Sequence, residues 1–195
     1  MNGSIRLLRI PLLICIAVLA SSGCAVMSKQ DCLEGNWREA GNNDAVRGHP
    51  SSSRLASRII VCQKHGAAPN KVDYLLGYKV GIQHYCQPER GLIAGSNNHT
   101  YRGICPTELE PSYLQHYISG LKVARRDAWF RYQWVDSELF SARIHHRSHN
   151  RDNNDKRLRV EARIDRLSHK LHELRSEQFQ IDRKIALWTA RLKNI

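Results

Sequence analysis

Residues 122–195 contain no cysteine, glycine or proline. A stretch so free of helix breakers, and rich in Arg, Leu and Glu, predicts long helices. Aromatic residues are scarce, at 7% of the 195-residue chain, so any single core is modest. The motifs of several common chemistries are absent. There is no C-x-x-C redox pair, no G-x-G-x-x-G and no G-x-S-x-G elbow around Ser51, Ser52 or Ser53. Gly91-x-x-x-Gly95 is not followed by the Lys-Ser/Thr of a phosphate-binding loop. Zinc-finger spacing and aromatic RNA-binding motifs are missing too. The remaining mixture, 42% hydrophobic and 25% charged, excludes wholesale disorder. The length accommodates one domain with an appendage, or two small domains.

Positive charge, by contrast, is abundant. Thirty Lys and Arg against 18 Asp and Glu give +12 with His neutral. Such a balance first suggests nucleic acid, an anionic membrane surface or acidic polymers. The N-terminus narrows that choice. Residues 1–23 read as an export signal, with Arg6 and Arg9 ahead of an apolar run from 10 to 20 and small residues at 20–23. The run is about half the ~20 residues needed to cross a bilayer as a helix. The segment Leu19-Ala20-Ser21-Ser22-Gly23-Cys24 resembles the lipobox of bacterial lipoproteins, with Ser21 where Leu is usual. That resemblance implies a diacylglyceryl group on Cys24, whose acyl chains make a stable membrane anchor. Ala25, rather than Asp, follows Cys24 and implies the outer membrane. An exported chain does not meet genomic DNA, so the nucleic-acid reading falls away.

Removing the signal takes two Arg and leaves 28 basic against 18 acidic residues, or +10. Residues 122–195 hold 18 of those bases against ten acids, or +8, so the basic balance belongs mostly to this region. Cys15 leaves with the signal and Cys24 is the lipid site. Cys32, Cys62, Cys86 and Cys105 then read as two disulfides in an oxidising compartment, with three connectivities possible. We favour Cys86–Cys105, closing a Gly-rich loop, and Cys32–Cys62, tying the first helix to the next segment. A tetrathiolate zinc site would want C-x₂₋₄-C pairs, which these are not.

The pattern predicts an all-α protein. Domain boundaries are expected at 1–23 for the signal, 24–121 for a small Cys-rich helical domain and 122–195 for a basic helical region. Helices are expected over 31–47, over 55–65 closed by Gly66, over 69–86, and from about 106–111 onward. Residues 87–105, rich in Gly, Asn and Pro, read as a loop. An internal echo links Tyr74-Leu75-x-x-Tyr78-x-x-Gly81-Ile82 to Tyr113-Leu114-x-x-Tyr117-x-x-Gly120-Leu121.

Farther on, Val160, Ile164, Leu167, Leu171, Leu174, Gln178, Ile181, Ile185, Trp188 and Leu192 alternate steps of four and three, a heptad seam with one polar position. A parallel homodimer would set Lys170 against Arg175 and Glu177 against Asp182, both like-charge pairs. An intrachain antiparallel coiled-coil-like hairpin is therefore expected. Its facing seam is Leu114, Leu121, Ala124, Ala128, Val135, Leu139 and Ala142, and its turn lies within 145–156.

Candidate chemistry is thin. His145, His146 and His149 cluster near the hairpin turn, and His169 and His172 sit three apart, so a His-based metal site is one option. Arg147 and Arg151 beside them would repel a cation. Asp31, Glu34, Asp44, Asp73, Glu108 and Glu110 could supply a carboxylate pair, but nothing in their spacing selects two. No catalytic residue, metal ligand or cofactor is assigned.

One resemblance covers residues 26–122. It is carried in order by Met27-Ser28-Lys29, Cys32, Trp37-x-x-x-Gly41-x-x-Asp44-x-x-x-Gly48, Cys62-x-x-x-Gly66 with Pro69, Tyr74-x-x-Gly77-x-x-x-Gly81-x-x-x-Tyr85-Cys86, and Gly91-x-x-x-Gly95-x-x-x-x-x-Tyr101-x-Gly103-Ile104-Cys105-Pro106. This segment resembles a family of Gram-negative lipoproteins called domain of unknown function 2799. Ala45 and Asn98 stand where that family tends to have Gly, Tyr78 where Arg is usual, and Asn70 where Asp is usual. The resemblance implies an envelope lipoprotein and transfers no catalytic residue.

The expected function is a non-enzymatic role at the outer membrane, facing the periplasm. The bilayer is held through Cys24, the partners are envelope proteins or an anionic envelope surface, and no nucleic acid is bound. Two alternatives are an envelope carbohydrate-binding or hydrolytic protein using the loop from Pro88 to Tyr101, and a His-rich periplasmic metal binder.

Overall fold

A computed structural model describes residues 27–148 and 154–195. The signal segment and Cys24 lie outside the described residues, as do His149 and Arg151. The described chain is helical and without strands: α1 (Lys29–Glu34), α2 (Trp37–Val46), α3 (Ser51–Gln63), α4 (Lys71–Tyr85), α5 (Pro88–Ser96), α6 (Glu110–Ser148) and α7 (Asn154–Lys193). The all-α expectation holds, with both favoured disulfides, Cys32–Cys62 and Cys86–Cys105.

Two local expectations fail. The single helix expected over 31–47 is two helices. Ser28 and Asp31 form a reciprocal capping box on α1, and Gly35 ends it with its N–H bonded to the Asp31 carbonyl. Asn36 then caps α2 by accepting from the Glu39 N–H at 3.0 Å. The loop expected over 87–105 is helical through Ser96. Pro88 opens α5 in the first turn, where a missing N–H costs nothing. Gly91 and Gly95, read as breakers, are buried where α5 lies against α6. Glycine weakens a helix by roughly 1 kcal/mol relative to Ala, and close packing on a neighbouring backbone offsets that here.

The echo is a structural duplication. In the first unit α2 packs on α4; in the second α5 packs on the start of α6. A Cβ on Gly41 would strike the Tyr74 carbonyl and sit 2.9 Å from the Tyr78 nitrogen. A Cβ on Gly91 would sit 2.5 Å from the Tyr113 carbonyl and 3.3 Å from the Tyr117 nitrogen. Gly81 meets Asn42 and Ala45; Gly120 meets Leu92 and Gly95. Each first helix ends on a left-handed residue, Gly48 at φ 72° or Asn98 at φ 55°. The next carbonyl, of His49 or His99, accepts from the hydroxyl of Tyr78 or Tyr117, at 2.9 and 2.7 Å. Residues of the two first helices correspond at an offset of 50 in sequence, and those of the two second helices at an offset of 39. The units differ mainly in their connection, where the first inserts α3.

Each disulfide lies in one of two apolar clusters. Cys32 and Cys62 join Trp37, Ala67 and Tyr74. Cys86 and Cys105 join Tyr101, Tyr113, Leu114, Tyr117, Leu121 and Ile181, with Trp188 packed against them. Helix α6 runs unbroken through 121–122, so the change of composition there is not a break in the backbone.

Helices α6 and α7 form the hairpin. The pairs Arg125–Asp182, Arg131–Glu177, Tyr132–Arg175 and Glu138–Arg163 descend along α7 as they climb α6, the mark of antiparallel packing. All seven residues of the expected α6 seam are buried. On α7, Leu174 and Ile181 are buried and the other seam residues half-buried, because two helices alone cannot enclose a seam. At 1.5 Å per residue the 39-residue α6 is about 58 Å long.

Candidate functional site

Of the six acids singled out in the sequence, the structure buries two, Asp44 and Glu110. The others serve locally or face solvent: Asp31 and Asp73 at helix starts, Glu34 accepting from Gln30, and Glu108 exposed.

Asp44 is held on α2 in the first cluster. Arg58 of α3 donates to its Oδ2 through Nε at 3.1 Å and Nη2 at 2.9 Å, and the Tyr74 hydroxyl of α4 donates to the same oxygen at 2.9 Å. Arg54 stands 3.9 Å from Oδ1. Burial, and then the bond to Asp44, pushes the Tyr74 phenol far above its ordinary pKa. This carboxylate joins three helices, and α3 is fastened to the first unit through it. Nearby, the His65 Nε2 lies 3.2 Å from the Met27 carbonyl, holding the N-terminal lead-in against the same side.

Glu110 is the first residue of α6. The Tyr101 hydroxyl donates to its Oε1 at 2.9 Å, and the Arg191 guanidinium of α7 spans both its oxygens. Tyr101 in turn accepts from the Cys105 N–H at 3.1 Å. Burial raises the Tyr101 phenol, an effect that the Cys105 N–H opposes and Glu110 reinforces. Arg191 is raised above its ordinary value by Glu110. A second tie lies close by: Lys184 of α7 donates to the backbone and side-chain oxygens of Asn98, at 2.9 and 2.8 Å. Burial lowers the Lys184 pKa. Together they fasten the far end of α7 onto the second unit.

Chemically these are paired carboxylates, each with a cation and a phenol as donors. They occupy separate clusters and do not form an acid–base pair. Sequence reasoning missed Arg58, Tyr74, Arg191 and Lys184, because each acts across a long sequence separation. The one available signal was Tyr74, in the echo.

The loop proposed for carbohydrate is used in packing: Gly91, Gly95 and Tyr101 are buried between α5, α6 and α7. His145 and His146 line a groove of about 550 Å³ near the hairpin tip, with Ser141, Lys156, Arg157, Arg159 and Arg163. His146 Nε2 lies 3.1 Å from Glu161, and His169 Nδ1 lies 3.3 Å from Glu173. Among the described residues no three His, Cys, Asp or Glu side chains converge to hold a metal ion, and no helix is long and apolar enough to cross a membrane.

Neither a curated protein nor a solved structure matches the chain. Residues 36–122 match the model of a family described as protein of unknown function (DUF2799), a span that begins at the cap of α2, takes in both glycine-packed units and ends inside α6; this supports assigning that segment to the family.

Proposed function

We propose that the protein is a lipid-anchored component of the bacterial cell envelope with a non-enzymatic, structural or interaction role. Cys24 carries the lipid, and the chain resides on the periplasmic side of the outer membrane. The observation that carries the reading is the lipobox-like run ending at Cys24, behind a basic and apolar leader. The pairing of Cys32 with Cys62 and of Cys86 with Cys105 supports it, since such pairs belong to an oxidising compartment. The buried carboxylates, each tied to a cation and a phenol, favour a scaffold over a catalyst. A two-unit base tied to a projecting hairpin suits a molecule that presents a surface at a distance from its anchor.

The test is metabolic labelling with palmitate in the native host, followed by membrane fractionation. Wild type is expected to take up label and sediment with the outer membrane. Cys24→Ala is expected to lose the label. Equal labelling of both chains, or none of either, would overturn the reading.

A further inference from the structure

Helix α6 buries one face against α7, yet its opposite face is the most apolar exposed surface of the hairpin. Trp129, Phe130, Trp134, Phe140 and Ile144 point outward there, with Trp134 64% and Phe140 66% exposed. At 3.6 residues per turn the five span an arc of about 140°, opposite the seam of Ala128, Val135 and Leu139. Isolated exposed apolar residues need no explanation, but five on one helical face, two of them Trp, mark a contact surface.

Charge identifies the occupant. The same face carries Lys122, Arg126 and Arg147. Its acids, Asp127 and Asp136, stand at the two edges, and Asp127 lies 3.5 Å from Arg126. Residues 122–148, the α6 arm of the hairpin, hold six bases against three acids, or +3. A second copy would therefore bring like charge onto like charge, whereas an anionic surface is attracted. Trp and Phe interleaved with Lys and Arg on one helical face is the composition of a helix lying in a bilayer interface. Its rings enter the headgroup boundary while cations meet lipid phosphates.

We propose that the outer face of α6 docks onto an anionic phospholipid bilayer surface. This deepens the interaction role above and rests on it only for which membrane is met in the cell. The hairpin would then lie along the membrane, with α7 and its half-buried seam turned away from the lipid.

The test uses the chain from Ala25, oxidised and without lipid, which contains every described residue. It is mixed with phosphatidylcholine vesicles with or without phosphatidylglycerol. Binding is read by co-sedimentation and by the tryptophan emission maximum. Phosphatidylglycerol is expected to raise binding about tenfold or more, with an emission blue shift and weakening in high salt. The double variant Trp129→Gln, Trp134→Gln should lose both signals while keeping its helical circular dichroism. Phe179→Ser with Leu187→Ser, on exposed positions of α7, should bind like wild type.

Absence of binding to anionic vesicles would overturn the proposal, as would equal binding by the α6 double variant. A concentration-dependent dimer abolished by that variant would assign the face to a second copy instead. Because this chain carries no lipid, failure here leaves anchoring at Cys24 standing, and failed palmitate labelling leaves this result standing.

Discussion

Tyr74 donates its phenolic proton to Asp44 at 2.9 Å, deep in the first unit. The equivalent phenol of the second unit, Tyr113, is also fully buried, but Ala94 stands where Asp44 does, so among the described residues the Tyr113 hydroxyl has no carboxylate to donate to and faces only the Tyr85 hydroxyl, outside regular hydrogen-bond geometry. Two matched tyrosines thus carry opposite hydrogen-bond status. Tyr74→Phe leaves a buried carboxylate short of a donor and is expected to destabilise by about 1–3 kcal/mol. Tyr113→Phe removes an unsatisfied polar atom at nearly constant shape. It is expected to be neutral, or stabilising by about 1 kcal/mol. Urea denaturation of the two variants checks the contrast, and equal losses would contradict it.

The glycine contacts make a second expectation. A methyl group on Gly41 would meet the Tyr74 carbonyl, and one on Gly95 would lie 2.8 Å from the Leu121 nitrogen. Neither neighbour is a flexible side chain, so the helices must separate. Gly41→Ala and Gly95→Ala should each cost about 1–3 kcal/mol or more despite the better helix propensity of Ala. Loss in thermal stability should be accompanied by weaker near-ultraviolet dichroism from the tyrosine clusters. A gain in stability, as propensity alone would give, would refute the packing role.

These two cases explain which parts of the fold were legible in the sequence. The heptad seam was readable because its period repeats, and the disulfides because few cysteines remained to pair. The Tyr-x-x-x-Tyr-x-x-Gly echo was visible on α4 and α6. Its partner half on α2 and α5 was not, because there the shared feature is backbone proximity at Gly41 and Gly91 and a left-handed residue that is Gly48 in one unit and Asn98 in the other. Local rules also misread Gly91 and Gly95, since a breaker and a packing glycine are the same residue in sequence. The Asp44 and Glu110 clusters depend on Arg58 and Arg191, contributed by other helices, and no local spacing announces them.

His49 provides a pH expectation. Its Nδ1 lies 3.0 Å from the Arg102 guanidinium, and burial, then Arg54 and Arg102, holds its pKa below the ordinary 6.5. A histidine lowered in the fold binds fewer protons there than in the unfolded chain. Its contribution is therefore fully present above pH 6.5 and is lost as pH falls through the folded-state value. Proton NMR should find His49 titrating below the exposed histidines. Arg102→Ala should move it upward and reduce the acid sensitivity of stability. An unshifted His49 in wild type would contradict this.

The last expectation concerns how α7 is held. Arg191 is half-exposed, but its partner Glu110 is 1% exposed, so removing the guanidinium strands a carboxylate with the Tyr101 hydroxyl as its remaining donor. Solvent near Arg191 screens part of the attraction. Arg191→Met is therefore expected to destabilise, by clearly less than the full penalty of breaking a buried pair. The loss should be local before it is global. Trp188, whose ring lies 4.7 Å from that of Tyr101, should shift its emission to the red as the end of α7 loosens. Amide exchange should quicken over the last turns of α7 and stay unchanged around Asp44, which belongs to the other cluster. The double variant with Glu110→Gln separates the effects: removing the stranded charge should recover part of the loss. Additive losses in that cycle would mean that Arg191 acts through something other than Glu110.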